Sequence, residues 1–153
     1  MANNPELSLN EFIPYILSVL SNEISQNIAS QYEQGFGIDL HQWRVMAILG
    51  EHSALSAVEV SHKTAMDKVA VSRAVKKLLA QKLVVREISE FDKRRSILSL
   101  SEDGLLIYKQ VVPLAKSYET KLLQTFNKTE LKQLTKLLQK LKNANDKLIA
   151  HTD

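Results

Sequence analysis

The chain contains no cysteine. That excludes disulfides, thiol redox sensing, Cys-ligated zinc and iron–sulfur clusters. Three prolines and four glycines in 153 residues are too few for a β-rich or a disordered chain. Apolar runs are only a few residues long, so no segment suits a membrane span. The opening MANNPELSLNEF lacks the basic and apolar regions of a signal peptide, and a cytoplasmic location is expected. There is no Gly-x-Gly-x-x-Gly, no Gly-x-Ser-x-Gly and no nucleophile–base motif, so neither an enzyme nor a cofactor is expected. His41, His52, His62 and His151 are scattered without a His-x-x-x-His pair, and no metal site is expected. Positive charge is also scarce at the start. Residues 1–60 hold one basic residue, Arg44, against seven acidic ones.

The missing charge reappears in the middle. Residues 61–95 hold ten basic and four acidic side chains, half of all the Lys and Arg in the chain. A basic block of this kind suggests a nucleic-acid footprint, the other reading being a solvated lysine-rich face. With 44% hydrophobic and 24% charged residues, the rest is ordinary for one folded domain, with or without an oligomerisation arm.

Helix starts recur. Ser8–Glu11, Asp39–Gln42, Ser56–Glu59 and Asn127–Glu130 all read as capping boxes with flanking apolar staples, while Asp67 and Ser101 read as simpler N-caps. Six helices are predicted. The first runs from about Ser8 to Gln34, with Pro14 bending its first turns or marking its true start. The second spans Leu40 to about His52, the third about Ala57 to Lys63 and the fourth Lys68 to about Gln81. The fifth spans about Glu102 to Phe126, interrupted at Pro113. The sixth, about Thr129 to Ala150, carries Leu131, Leu134, Leu137, Leu138, Leu141 and Leu148 on one side. Between the fourth and fifth, Val84–Ile88 and Ser96–Leu100 alternate like two short strands joined by a charged tip.

A short helix, a tight turn and a second helix bearing Lys68, Ser72, Arg73, Lys76 and Lys77 describe a helix-turn-helix, and the hairpin makes it winged. The fold expected is mainly α (α+β). A winged helix-turn-helix domain over 38–100 carries the two-stranded wing, and helical dimerisation segments lie at 8–36 and 101–150. The second helix suits the major groove of double-stranded DNA. There Arg73 is placed for guanine O6 and N7, and Lys68 or Ser72 for base edges or phosphate. Lys63, Lys76 and Lys77 suit phosphates, and Lys93, Arg94 and Arg95 at the tip suit the minor groove. A helical protein-interaction module without specific DNA binding is the alternative, and a steep fall of nucleic-acid affinity with salt separates the two.

The run Gly37–Gly104 resembles the winged-helix core of the MarR family of bacterial transcription regulators. The resemblance rests on Leu40-His41-Gln42-Trp43-Arg44-Val45, on Thr64–Arg73, and most of all on Asp92-Lys93-Arg94-Arg95-Ser96 followed by Leu98–Gly104. Asp92 and Arg94 match the family's Asp-x-Arg wing. The resemblance implies a homodimer that binds a pseudo-palindromic operator, usually as a repressor, and is released by a small molecule, often a phenolic or aromatic acid. Thr64–Arg73, Asp92–Ser96 and Tyr108–Glu119 also resemble the repressors of hydroxycinnamate catabolism.

Arg44 then admits two readings. It is either a structural ion pair, with Glu23 or Glu51, or a carboxylate anchor that uses the bidentate guanidinium fork. The family's pocket lies between the dimer arm and the winged domain. Tyr15, Ser18, Asn22, Gln26, Trp43, Met46 and Tyr118 are the candidates to line it beside Arg44.

Overall fold

A computed structural model describes residues 7–88 and 96–150. Six helices and two strands follow one another: α1 (Ile13–Phe36), α2 (Leu40–His52), α3 (Ala57–Thr64), α4 (Lys68–Ala80), β1 (Val84–Ile88), β2 (Ser96–Leu100), α5 (Glu102–Leu123) and α6 (Lys128–Ala150). The mainly helical architecture with a two-stranded antiparallel wing matches the expected fold.

Local chemistry explains most boundaries. Asp39 accepts from the Gln42 N–H while the Gln42 side chain accepts from the Asp39 N–H, which closes a reciprocal box at the start of α2. Ser56 and Glu59 do the same for α3, and Asn127 and Glu130 for α6. Asp67 caps α4 through the Ala70 N–H at 2.8 Å.

Two expectations are corrected. The Ser8 box does not start a helix: residues 8–12 turn through Glu11 N–H to the Ser8 carbonyl, and α1 begins at Ile13 without a side-chain cap. Pro14 decides this. Its ring fixes φ and it has no N–H, so it is tolerated in the first turn and disruptive deeper in a helix. Pro113, by contrast, does not interrupt α5, which runs through it and ends at Leu123. The helix forgoes the one hydrogen bond that a residue at 113 would send back a turn, and nearby Val111, fully buried, anchors it to the core.

The chain divides into two units, Met1–Ala115 and Lys116–Asp153. In the first, α2 packs against α1, α3, α4 and β2. Tyr32, Ile38, Val45, Met46, Val60, Val71, Leu78 and Leu98 fill its core. The strands pair in register from Val84↔Leu100 to Ile88↔Ser96. Leu55 adds a one-residue third rung, exchanging both backbone hydrogen bonds with Leu98 at 2.7 and 3.0 Å. Gly104, in the first turn of α5, lies so close to the backbone of Leu83 that a Cβ would collide with its carbonyl oxygen. The second unit contains α6, which leaves Leu137, Leu138, Leu141 and Leu148 exposed.

Candidate nucleic-acid interface

The turn between α3 and α4 is made by Ala65 in the left-handed region (φ 52°), buried Met66 and the cap Asp67. α4 then turns Val71, Ala74, Val75 and Leu78 into the core. The 3.6-residue period leaves Lys68, Ser72, Arg73, Lys76 and Lys77 on the solvent side. Lys63, at the end of α3, is also exposed. Among the described residues, Lys63, Lys68, Arg73 and Lys76 have no acidic partner within ion-pair distance. Their charges are therefore available to an external anion. Lys77 differs: its ammonium sits 2.7 Å from the Asp39 carboxylate at the cap of α2, so a phosphate must compete with that interaction. Lys93, Arg94 and Arg95 of the wing, with Asp92, lie outside the described residues.

Arg86 on β1 is missing from the basic set read in the sequence. It lines a surface hollow of about 200 Å³ with Ser61, Lys68 and Ser72. Paired with buried Leu98 and two positions from buried Val84, it shares their face of the wing and reaches solvent beside α3 and α4. Strand alternation around Val84 was the available signal.

The candidate effector residues spread over several places. Arg44 is half-buried, and its Nη2 donates to the Ser25 hydroxyl at 3.1 Å. Neither Glu23 nor Glu51 pairs with it among the described residues, and Glu51 lies 3.6 Å from His52 instead. Of the two readings of Arg44, the ion pair with Glu23 or Glu51 is not formed, and a neutral contact across α1 and α2 stands in its place. Ser18, Asn22 and Ser25 follow at spacings of four and three and share one face of α1.

Trp43 stands between two tyrosines, with its ring 5.7 Å from Tyr32 and 5.9 Å from Tyr108. Tyr108 in turn lies directly over Gly50, where a Cβ would meet the ring at 2.5 Å. Met46 is fully enclosed in the core. Tyr15 faces a shallow hollow with Leu9, Ile16, Val19, Leu20 and Glu23, and Arg44 is not among the residues lining it. Tyr118 is half-buried and belongs to the second unit.

One residue absent from the sequence-based set stands out at this place. Tyr32 is wholly buried, and its hydroxyl has no hydrogen-bond partner among the described residues. Burial, with the nearby Glu33 charge, pushes its pKa up to about 12, while the positive charge of Arg44 works in the opposite direction.

A basic, outward-facing second helix of a helix-turn-helix, followed by an antiparallel wing, defines a winged-helix DNA-binding protein. Residues 36–95 match the model of the MarR family. BilQ, a helix-turn-helix transcriptional regulator from Clostridium symbiosum, is 31% identical over 105 residues, covering 69% of this chain and 73% of the relative. A MarR/EmrR family regulator from Acinetobacter sp. ADP1 superposes with a TM-score of 0.85 at 32% identity, over 92% of this chain and 99% of the other. BpsR of Bordetella bronchiseptica, whose DNA binding is regulated by 6-hydroxynicotinic acid, shares the fold with a TM-score of 0.69 at 24% identity, over 82% and 98%. The chain belongs to the MarR family of transcriptional regulators, which are DNA-binding proteins and not enzymes. Among the described residues no helix is long and apolar enough to cross a membrane.

Proposed function

We propose that the protein is a repressor that binds a pseudo-palindromic DNA operator as a homodimer and is released by a small aromatic carboxylate, with hydroxycinnamates as the first class to test. Residues 38–100 serve DNA, and 8–36 with 101–150 serve pairing. Lys68, Arg73 and Lys76 on α4, without an acidic partner among the described residues, support the first part. Arg73 and Lys68 suit base edges, while Lys76 and Lys63 suit phosphates. Exposed Ile13, Ile16 and Leu20 on α1, and Leu137, Leu138 and Leu141 on α6, supply apolar surface that a second copy would cover.

The effector part rests on one observation: among the described residues, a half-buried arginine with no carboxylate lies close enough to a buried, unpartnered hydroxyl for its charge to act on it. A planar aromatic acid answers both. Its carboxylate takes the guanidinium fork of Arg44, with Ser25 as a second donor, and its ring displaces Tyr108 from the face of Trp43, opening the way to the buried Tyr32 hydroxyl. The acid that regulates the Bordetella bronchiseptica relative has the same chemistry.

The test is a thermal-shift titration of the full chain with para-hydroxycinnamate, alongside release of a bound operator duplex. At about a hundredfold excess over Kd, ligand binding adds about 2.7 kcal/mol to stability. Arg44→Met should abolish the shift and leave DNA affinity of the free protein within about tenfold. An unchanged response in that variant overturns the anchor assignment.

A further inference from the structure

Gln42 is 3% exposed, a rare degree of burial for a polar side chain in this protein. Every hydrogen-bonding group of a buried amide must be answered, so its partners reveal what it does. Its Oε1 accepts from the Asp39 N–H at 3.0 Å, and its Nε2 donates to Oε1 of Gln81 at the C-cap of α4. Gln81 continues the chain, its Nε2 donating to the Gly37 carbonyl at 3.0 Å. Gly37 is the left-handed C-cap of α1 (φ 64°). One turn earlier on α4, Lys77 meets the Asp39 carboxylate.

We infer that Gln42 and Gln81, with Asp39 and Lys77, are positioning residues that fix the C-terminal end of α4 on the joint between α1 and α2 and thereby set the aim of the DNA-reading face. The inference rests on the reading of α4 as the DNA-reading helix. Lys77 and Gln81 are four residues apart, on one face of α4, and the same helix presents Arg73 and Lys76 to solvent. A shift of α4 along or about its axis therefore breaks the polar chain and misplaces the reading residues together.

The chain also has a direction. The Asp39 N–H can only donate and the Gly37 carbonyl can only accept, so each amide has one working orientation. A flipped Gln42 would set two donors against each other. Such a chain holds one arrangement and penalises its neighbours, whereas apolar packing at the same place tolerates sliding. A binding site held about 1 Å too loosely is a known way to lose function without losing the fold.

Gln81 is exposed beside a surface hollow of about 520 Å³ that Glu33, Lys77 and Ala80 also line. Leucine fits there without overpacking. Gln81→Leu removes the donor to Gly37 and leaves the Gln42 Nε2 unanswered. Asp39→Asn keeps the cap oxygen for the Gln42 N–H and removes the charge that holds Lys77.

The experiment compares full-chain native protein with both variants on two DNAs. One is the duplex that the native protein selects from a random pool, the other a scrambled duplex of equal length. Partial unfolding lowers active protein and weakens both DNAs alike. A misaimed helix weakens the selected duplex and spares the scrambled one, whose binding is set by phosphate charge. We expect the ratio of the two affinities to fall about tenfold in Gln81→Leu and less in Asp39→Asn. An unchanged ratio in both variants overturns the inference. If the native protein selects no duplex at all, the DNA-binding reading itself fails.

Discussion

Replacing Tyr32 by phenylalanine removes one oxygen and keeps the ring that packs 5.7 Å from Trp43. The hydroxyl lies in a side chain with no exposed surface and meets no partner among the described residues. A buried, unanswered polar group of this kind costs about 1–3 kcal/mol. The variant should therefore be more stable than the native protein by about that amount. In a chain of this size each kcal/mol moves Tm by about 2–4 °C, so Tm should rise by roughly 2–12 °C. Urea unfolding at neutral pH measures it directly: Cm rises while the slope stays constant.

The alkaline limb gives a second readout. The folded pKa of Tyr32 is raised from 10.0 to about 12, first by burial and then by the Glu33 charge. The associated stability is therefore fully present below the unfolded value and is lost as pH rises through the folded one. Tyr32→Phe should remove that loss. With para-hydroxycinnamate present the variant's advantage should narrow, because the ligand can no longer answer the hydroxyl, and the ligand-induced shift should shrink by about 0.5–1.5 kcal/mol. A phenylalanine variant less stable than the native protein by about 1 kcal/mol or more, without ligand, refutes the argument. It would mean the hydroxyl is hydrogen-bonded in the free protein.

Three further outcomes follow from the packing and charges. Gly104→Ala drives a Cβ into the Leu83 carbonyl, which also accepts the Ser101 N–H at 3.0 Å; chemical denaturation should show a loss of about 1–3 kcal/mol, and a neutral result would show that α5 can retreat. Burial raises the Asp39 pKa, but hydrogen bonds from Lys77 and the Gln42 N–H, with the Lys77 charge, outweigh it, and the net value lies below the ordinary 3.8. Its contribution is present above the unfolded value and lost as pH falls through the folded one, so Asp39→Asn should flatten the acid limb of stability against pH. Leu137→Asp with Leu141→Asp, both on the exposed row of α6, should turn a dimer into a monomer in sedimentation without altering the helical circular dichroism of the winged unit.

Much of the fold was legible because its signals are local. Asp39, Ser56, Asp67 and Asn127 each satisfy N–H groups two or three residues on, so their helices announce themselves in four-residue windows. The Ser8 box misleads because two local signals collide, and the proline lies just inside. The basic face of α4 was readable from a 3.6-residue period. What escaped depends on the crossing of distant segments. Arg44 meets Ser25 nineteen positions away, Lys77 meets Asp39 at thirty-eight, and Gln42 meets Gln81 at thirty-nine. No window contains both members of such a pair. The solitude of the Tyr32 hydroxyl is harder still to see, since it is defined by what the whole packed core fails to offer.

Selection from a random duplex pool followed by salt titration shows whether α4 reads DNA in a paired protein. Enriched duplexes should carry two half-sites about one helical turn, roughly 34 Å, apart. Affinity for them should fall steeply with salt. Lys76→Ala should reduce that salt slope by about one unit for each phosphate left without its lysine, while Arg73→Ala should cost about 1–3 kcal/mol and relax the preferred base at one position of each half-site. A pool that emerges unenriched, or binding that neither salt nor these two substitutions alter, would contradict the DNA-reading role of α4.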